Sequence, residues 1–435
     1  MLGAPHPRYR LYTRSRSYRW LLRDVLTGRL HRGGEVEELE RELAEWLQVP
    51  HVVCMPYART GMYLTLKALI RPGQRVIIQP YTIVDAVNMV LCAGGVPVFA
   101  DIEPETCSLD PADVERLIDK DTGAVCVTHL HGIPGAIEEL TALCARRGIP
   151  LIEDTAQAFG ARIGGRRLGT FGTAGVYSFG TYKNICAWYG GAVVTEDAAL
   201  AARIRAARDG YALQTARALL ARMRLGLSTD VLTLPAVFKT FTYWIFRFGI
   251  LHDLDWINRR LDAERHTESF TRMPEEYLCR MTPSQARLLL AQLDHVDPDN
   301  AARIRAAELY HQGLADLGNR LVLPPRRNDG SHIYTYFPVQ FTPRQDLIKS
   351  LQSQNRDLAQ QYLHNCADLP SFAAYRRDCP RARKTSASTI LLPTYPRYPV
   401  AEIEKNIACI REYFARAGRM PSEPGARESV SPPAA

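Results

Sequence analysis

Between about residues 33 and 209, short β-rich runs alternate with amphipathic stretches, and this alternation is the strongest constraint on the fold. It predicts an α/β domain with a mainly parallel sheet, since each crossover helix returns the chain to the same sheet edge. The predicted strands are Arg75–Gln79, Val96–Phe99, Ala124–Thr128, Pro150–Asp154, Gly175–Ser178 and Ala192–Thr195. Apolar residues at helical spacing fall in Val36–Leu47, Thr60–Leu69, Asp110–Ile118 and Ile137–Arg147. Asp110 before Pro111 marks a helix start: a capping oxygen, then a residue whose missing N–H costs nothing there.

The 435 residues, 46% hydrophobic and 23% charged, are those of a globular protein of two or three structural units. The expected division is a basic arm over 1–32, a large α/β domain over 33–212, an apolar helical insertion over 213–270, a smaller α/β domain over 271–417 and a disordered tail over 418–435. The net charge of +8 is concentrated in the arm, where Arg8, Arg10, Arg14, Arg16, Arg19, Arg23, Arg29 and Arg32 face only Asp24. Local basicity of this kind suggests a surface or ligand contact rather than nucleic acid. The ten cysteines form no C-x-x-C pair and no signal-like apolar stretch follows Met1, which predicts a cytoplasmic protein without disulfide framework or metal site. NTPase, serine-hydrolase, zincin and dinucleotide-binding motifs are absent from convincing contexts.

The chemistry is concentrated in Leu151-Ile-Glu-Asp-Thr-Ala-Gln-Ala-Phe-Gly-Ala161, Tyr177-Ser-Phe-Gly-Thr-Tyr-Lys-Asn184 and Gly190-Gly-Ala-Val-Val-Thr195. These runs put a carboxylate, Asp154, at the C-terminal end of a buried strand and an amine, Lys183, on the loop after a neighbouring strand. That is the edge at which α/β sheets bind ligands. One lysine and one carboxylate there suit pyridoxal 5'-phosphate: the amine forms a Schiff base, and the acid keeps the pyridine nitrogen protonated so that the ring accepts electrons.

The three motifs, in this order, resemble the DegT/DnrJ/EryC1/StrS family of sugar aminotransferases. The resemblance runs from about Gly33 to Phe414 apart from 213–270, and continues in Pro72-Gly-Gln-Arg-Val-Ile-Ile-Gln-Pro-Tyr-Thr82, His129-Leu-His-Gly132, Arg280-Met-Thr-Pro-Ser-Gln-Ala286 and Gln292. It implies fold type I of the pyridoxal-phosphate transferases, a homodimer, and transfer of an amino group, with L-glutamate as donor and a nucleotide- or lipid-linked keto-sugar as acceptor. By position it implies Lys183 as Schiff-base lysine and proton carrier, Asp154 as pyridinium partner, Gln157 as contact to the phenolic oxygen and Ser178 as a phosphate hydroxyl. His131, Arg280, Tyr334 and His364 are expected near substrate, with a plain structural histidine as the other reading of His131. A sugar dehydratase and a non-catalytic scaffold of the same fold are the alternatives.

The chain departs from the family pattern around the cofactor. The phosphate loop reads Tyr57-Ala-Arg-Thr-Gly-Met62, leaving Arg59 and Thr60 as candidate phosphate donors beside the helix N-terminus, with a surface charge as the other reading of Arg59. The stacking aromatic aligns with Ile83, which leaves Tyr81 as the nearby ring. Trp188-Tyr-Gly-Gly191 and Leu278 replace polar residues, consistent with a less polar pocket or with lost turnover.

In the 213–270 segment, Leu234, Phe238, Phe241, Ile245 and Phe248 share one predicted helix face. Lys239, Arg247 and Pro235 argue against a membrane-spanning helix. Tyr243, Trp244 and the flanking Arg217, Arg222, Arg224, Arg259 and Arg260 are types found at lipid headgroups. Two readings stand: peripheral membrane contact, which would bring a lipid-linked substrate within reach, or packing on the chain's own domain or a dimer partner.

Overall fold

The computed structural model describes residues 3–11, 15–254, 267–318 and 320–417. The expected tail over 418–435, together with Arg14, Arg259 and Arg260, lies outside the described residues. Seven strands form the main sheet: β1 (His51–Met55), β2 (Arg75–Ile78), β3 (Val96–Phe99), β4 (Thr122–Thr128), β5 (Leu151–Asp154), β6 (Ala174–Ser178) and β7 (Gly191–Thr195). Their order is β1-β7-β6-β5-β4-β2-β3. All neighbours run parallel except around β7, which is antiparallel to both β6 and β1. Strand β1, absent from the expected set, is a short apolar run after Pro50 that closes the sheet edge.

Alternate side chains of these strands serve opposite faces, as the two-residue repeat of a strand requires. Val76 and Ile78 pack with Val176, Val193 and the helices Ala58–Leu69 and Val84–Cys92. Ile77, Val125 and Val127 pack with Leu140 and Leu143 of the Ile137–Arg147 helix. The Asp110 cap is present, its carboxylate accepting the Ala112 N–H at 2.9 Å.

A second, antiparallel sheet of Phe337–Gln340, Thr389–Leu392 and Ala359–Gln360 is backed by the helices Val296–Leu314 and Val400–Ala417. The helical run that opens this unit is divided in two. Pro283–Leu290 starts at a Thr282/Gln285 capping box, and after a short turn Val296–Leu314 begins anew. The arm is also less exposed than its charge suggests. Arg8 is buried, its guanidinium 3.4 Å from Asp357 and donating to the Leu358 carbonyl at 3.0 Å.

The apolar segment folds into a helix Ala216–Leu232, a turn at Pro235–Val237, a π-helical turn Phe238–Thr242 and a helix Tyr243–Leu251. The wider π turn rotates the following residues relative to a regular helix. Phe238 therefore leaves the predicted face and is buried, 5.9 Å ring to ring from Tyr243. Tyr243, expected at a headgroup layer, is also buried and donates its hydroxyl to the Gln352 carbonyl at 3.2 Å.

Candidate active site

Asp154 ends β5 and Ser178 ends β6, two adjacent parallel strands in which Asp154 lies opposite Val176. Ser178 in turn lies opposite Gly191 at the start of β7. Residues 179–190 join these strands and carry Lys183. A Cβ at Gly191 would lie 2.7 Å from the Ala58 nitrogen and from the Tyr177 carbonyl, so only glycine lets the Ala58–Leu69 helix N-terminus approach so closely. The sheet edge thus gathers a carboxylate, an amine, a hydroxyl and a helix start with no side-chain cap.

Asp154 is buried, which pushes its carboxyl above the ordinary range. The Ala156 N–H at 3.0 Å and the charges of Lys183 and His129 oppose that rise. Burial holds the half-buried Lys183 amine below its ordinary value; Asp154 raises it and Arg59 lowers it further. A lysine depressed in this way has more of the neutral form that attacks a carbonyl. Gln157 Oε1 accepts the His131 backbone N–H at 2.8 Å, which leaves its NH₂ group as the outward donor. Arg59 sits in the first helical turn, 2.8 Å from Asp85 and 2.8 Å from the Tyr277 hydroxyl.

The lysine loop is held firmly. Gln292 accepts the Cys186 N–H at 3.0 Å and donates to the Cys186 carbonyl at 2.9 Å. Thr181 donates to the Trp188 carbonyl at 3.1 Å, and Ala187 N–H to the Phe179 carbonyl at 3.0 Å. Trp188 is buried beneath Gly226 of the Ala216–Leu232 helix, whose Arg222 lies over the Tyr189 ring at 4.9 Å. Gln292 matched the family at sequence level without a role. Its clamp, the Arg222 contact and the Tyr57–Tyr189–Tyr277 ring cluster had no local signal in the sequence.

Several candidates are placed elsewhere. Thr60 is fully buried and its only hydroxyl proton goes to the Tyr277 carbonyl at 2.8 Å, so its side chain is committed inside the fold. Tyr81 is fully buried, with its hydroxyl turned toward Thr389 and Arg344 rather than the lysine, because its short strand pairs with His364–Asn365. Tyr334 is a core residue: its hydroxyl donates to the Pro325 carbonyl at 2.6 Å and accepts the Arg327 N–H at 2.8 Å. The His131 ring is enclosed, and burial lowers its pKa to about 3, so it is neutral and contributes through its backbone contact to Gln157. Arg280 is half-buried in a two-residue strand beside Ala212–Leu213, and the adjoining Met281 packs against Gly190. His364 pairs with Thr82.

The donor set fits pyridoxal phosphate: a depressed amine, a buried carboxylate, an amide donor fixed in orientation, and a helix N-terminus beside Ser178 with space kept by glycine. Gly191→Ala is expected to lower stability by about 1–3 kcal/mol and to weaken cofactor uptake, checked by urea unfolding and cofactor titration.

A mostly parallel sheet with this lysine and carboxylate at its C-terminal edge defines a pyridoxal-phosphate-dependent transferase of the aspartate-aminotransferase type. The profile of the DegT/DnrJ/EryC1/StrS aminotransferase family matches residues 18–228 and 262–411, and the chain belongs to that family. The unmatched residues 229–261 lie within the apolar segment. GDP-perosamine synthase of Caulobacter vibrioides is 28% identical over 385 residues, covering 87% of this chain and 90% of the relative. The dTDP-3-amino-3,4,6-trideoxy-alpha-D-glucose transaminase of Streptomyces venezuelae is 28% identical over 395 residues, covering 90% of each. The solved structure of S. venezuelae DesV in complex with a ketimine intermediate superposes with a TM-score of 0.70 at 27% identity, covering 92% of this chain and 94% of that one.

Proposed function

We propose that this aminotransferase moves an amino group from L-glutamate to a keto-sugar, working as a homodimer. The observation that carries the reading is the placement of Asp154 and Lys183 at one sheet edge, next to Ser178 and an uncapped helix N-terminus. A sugar acceptor is supported by the relatives, both of whose names include a nucleotide-linked sugar.

Pyridoxal phosphate supplies the electron sink on which an amino group is taken from one substrate and given to another. Asp154 holds a positive charge at the ring nitrogen. Gln157 donates from its NH₂ group to the phenolic oxygen. Ser178, the N–H groups that open the Ala58–Leu69 helix and the charge of Arg59 hold the phosphate. Lys183 would hold the cofactor through its depressed amine and, once free, would serve as the proton carrier of the transfer. Trp188, which stands in place of a polar residue of the family pattern, packs as a buried ring beneath Gly226 and anchors the end of the lysine loop.

With ¹⁵N-labelled L-glutamate and a set of nucleotide-linked keto-sugars, 2-oxoglutarate release and ¹⁵N in the sugar are expected. A deoxy sugar without nitrogen would indicate dehydration instead, and no uptake of cofactor would indicate a scaffold. Sedimentation velocity of the holoenzyme checks the dimer.

A further inference from the structure

The Tyr243–Leu251 helix inverts the usual burial pattern. Phe241, just before it, and Trp244, Ile245 and Phe248 stand at i, i+3, i+4 and i+7 and are 59%, 44%, 40% and 54% exposed, whereas Thr242, Tyr243 and Gly249 are buried. The Ala216–Leu232 helix carries an exposed stripe of its own, in which Arg217 and Arg224 precede Leu225, Val231 and Leu232. The adjoining Ser15–Leu26 helix, joined by the Tyr18 hydroxyl to Asp230 at 2.6 Å, adds exposed Trp20, Leu22 and Leu26 beside Arg19 and Arg23. Large apolar side chains left exposed on three neighbouring stretches of the chain mark an interaction site.

We propose that this face docks on a bilayer rich in anionic phospholipid, lying in the interface without crossing it. Among the described residues, no helix is long and apolar enough to span a membrane. Aromatic and aliphatic side chains on one helix face, bordered by arginine, suit the boundary between acyl chains and headgroups. Charge selects the occupant. On the exposed side of residues 216–251 the charged residues are Arg217 and Arg224; Arg222 and Arg247 turn inward, and the one acid, Asp230, is engaged by Tyr18. A second copy would bring the same arginines to this face with no free acid of this segment to pair them, whereas phosphate headgroups complement them. The inner side of the same segment rests on the chain itself. The Arg247 Nε donates to the Gln352 carbonyl at 3.0 Å and Lys349 pairs with Asp253 at 2.7 Å, so the outer face is presented on a fixed support. This inference does not depend on the reaction catalysed.

The test is co-sedimentation of the full-length holoenzyme with vesicles of phosphatidylglycerol and phosphatidylcholine, and of phosphatidylcholine alone. Binding to the anionic vesicles, weakened by salt, is expected. Phe241→Asp with Phe248→Asp, and separately Arg217→Glu with Arg224→Glu, are each expected to reduce partitioning about tenfold or more. Cofactor absorption and transamination of a soluble substrate should be unchanged in both. The proposal is overturned if the native protein stays in the supernatant, if neither variant changes its partitioning, or if the phenylalanine variant turns a dimer into a monomer, which assigns the face to a second copy.

Discussion

Lys183→Ala is expected to fold normally, to stay colourless when supplied with pyridoxal phosphate, and to transaminate about 10⁴-fold more slowly or worse. Lys183 combines two roles that no neighbour can assume. Arg59, the other cation acting on it, is held by Asp85 and the Tyr277 hydroxyl. Borohydride should fix the cofactor to residue 183 in the native protein and to nothing in the variant, with peptide mapping as the readout. Covalent uptake by Lys183→Ala would remove the basis of the proposed mechanism. Folding is expected to survive because the loop is held by backbone bonds at Cys186, Ala187 and Trp188, none of which uses the lysine side chain.

Asp154→Asn is expected to keep the covalent link to cofactor yet lose about 10²- to 10⁴-fold in turnover, an effect of the size assigned to one positioned acid or base. An amide cannot hold a proton on the ring nitrogen, so electrons withdrawn from substrate find no sink. The same substitution has a signature in the apoprotein. Burial raises the Asp154 carboxyl above its ordinary 3.8, so over the window from 3.8 up to the raised value the folded state binds more protons than the unfolded one. Stability therefore falls as pH rises through that window, and the buried-charge penalty is fully present above it. Urea unfolding of the apoprotein as a function of pH should show this decline in the native chain and lack it in Asp154→Asn.

The placement of Asp154 and Lys183 at one sheet edge was legible in the sequence because apolar runs stopping at polar residues mark strand ends, whereas the expectations for Gln157 and Ser178 came from the family resemblance. The parallel sheet was legible for the same reason. Which way a side chain turns in a two-residue strand or in the first turn of a helix is not written locally, and so Tyr81 and Thr60 face the interior instead of the cofactor edge. Tyr334 adopts a positive φ of 45° outside the strand that begins at Phe337, which points its ring into the C-terminal core. In the apolar segment the hydrophobic period was read correctly as helical, but one π turn moved Phe238 inward and left Trp244 on the outer face.

The bidentate grip of Gln292 on Cys186 joins positions 106 residues apart in the chain. The large sheet is consequently not a self-sufficient catalytic module. A chimera that took residues 33–212 from this chain and the remainder from a distant relative would inherit the reactive amine without the brace that sets its reach, so shuffled libraries need to keep both partners from one parent.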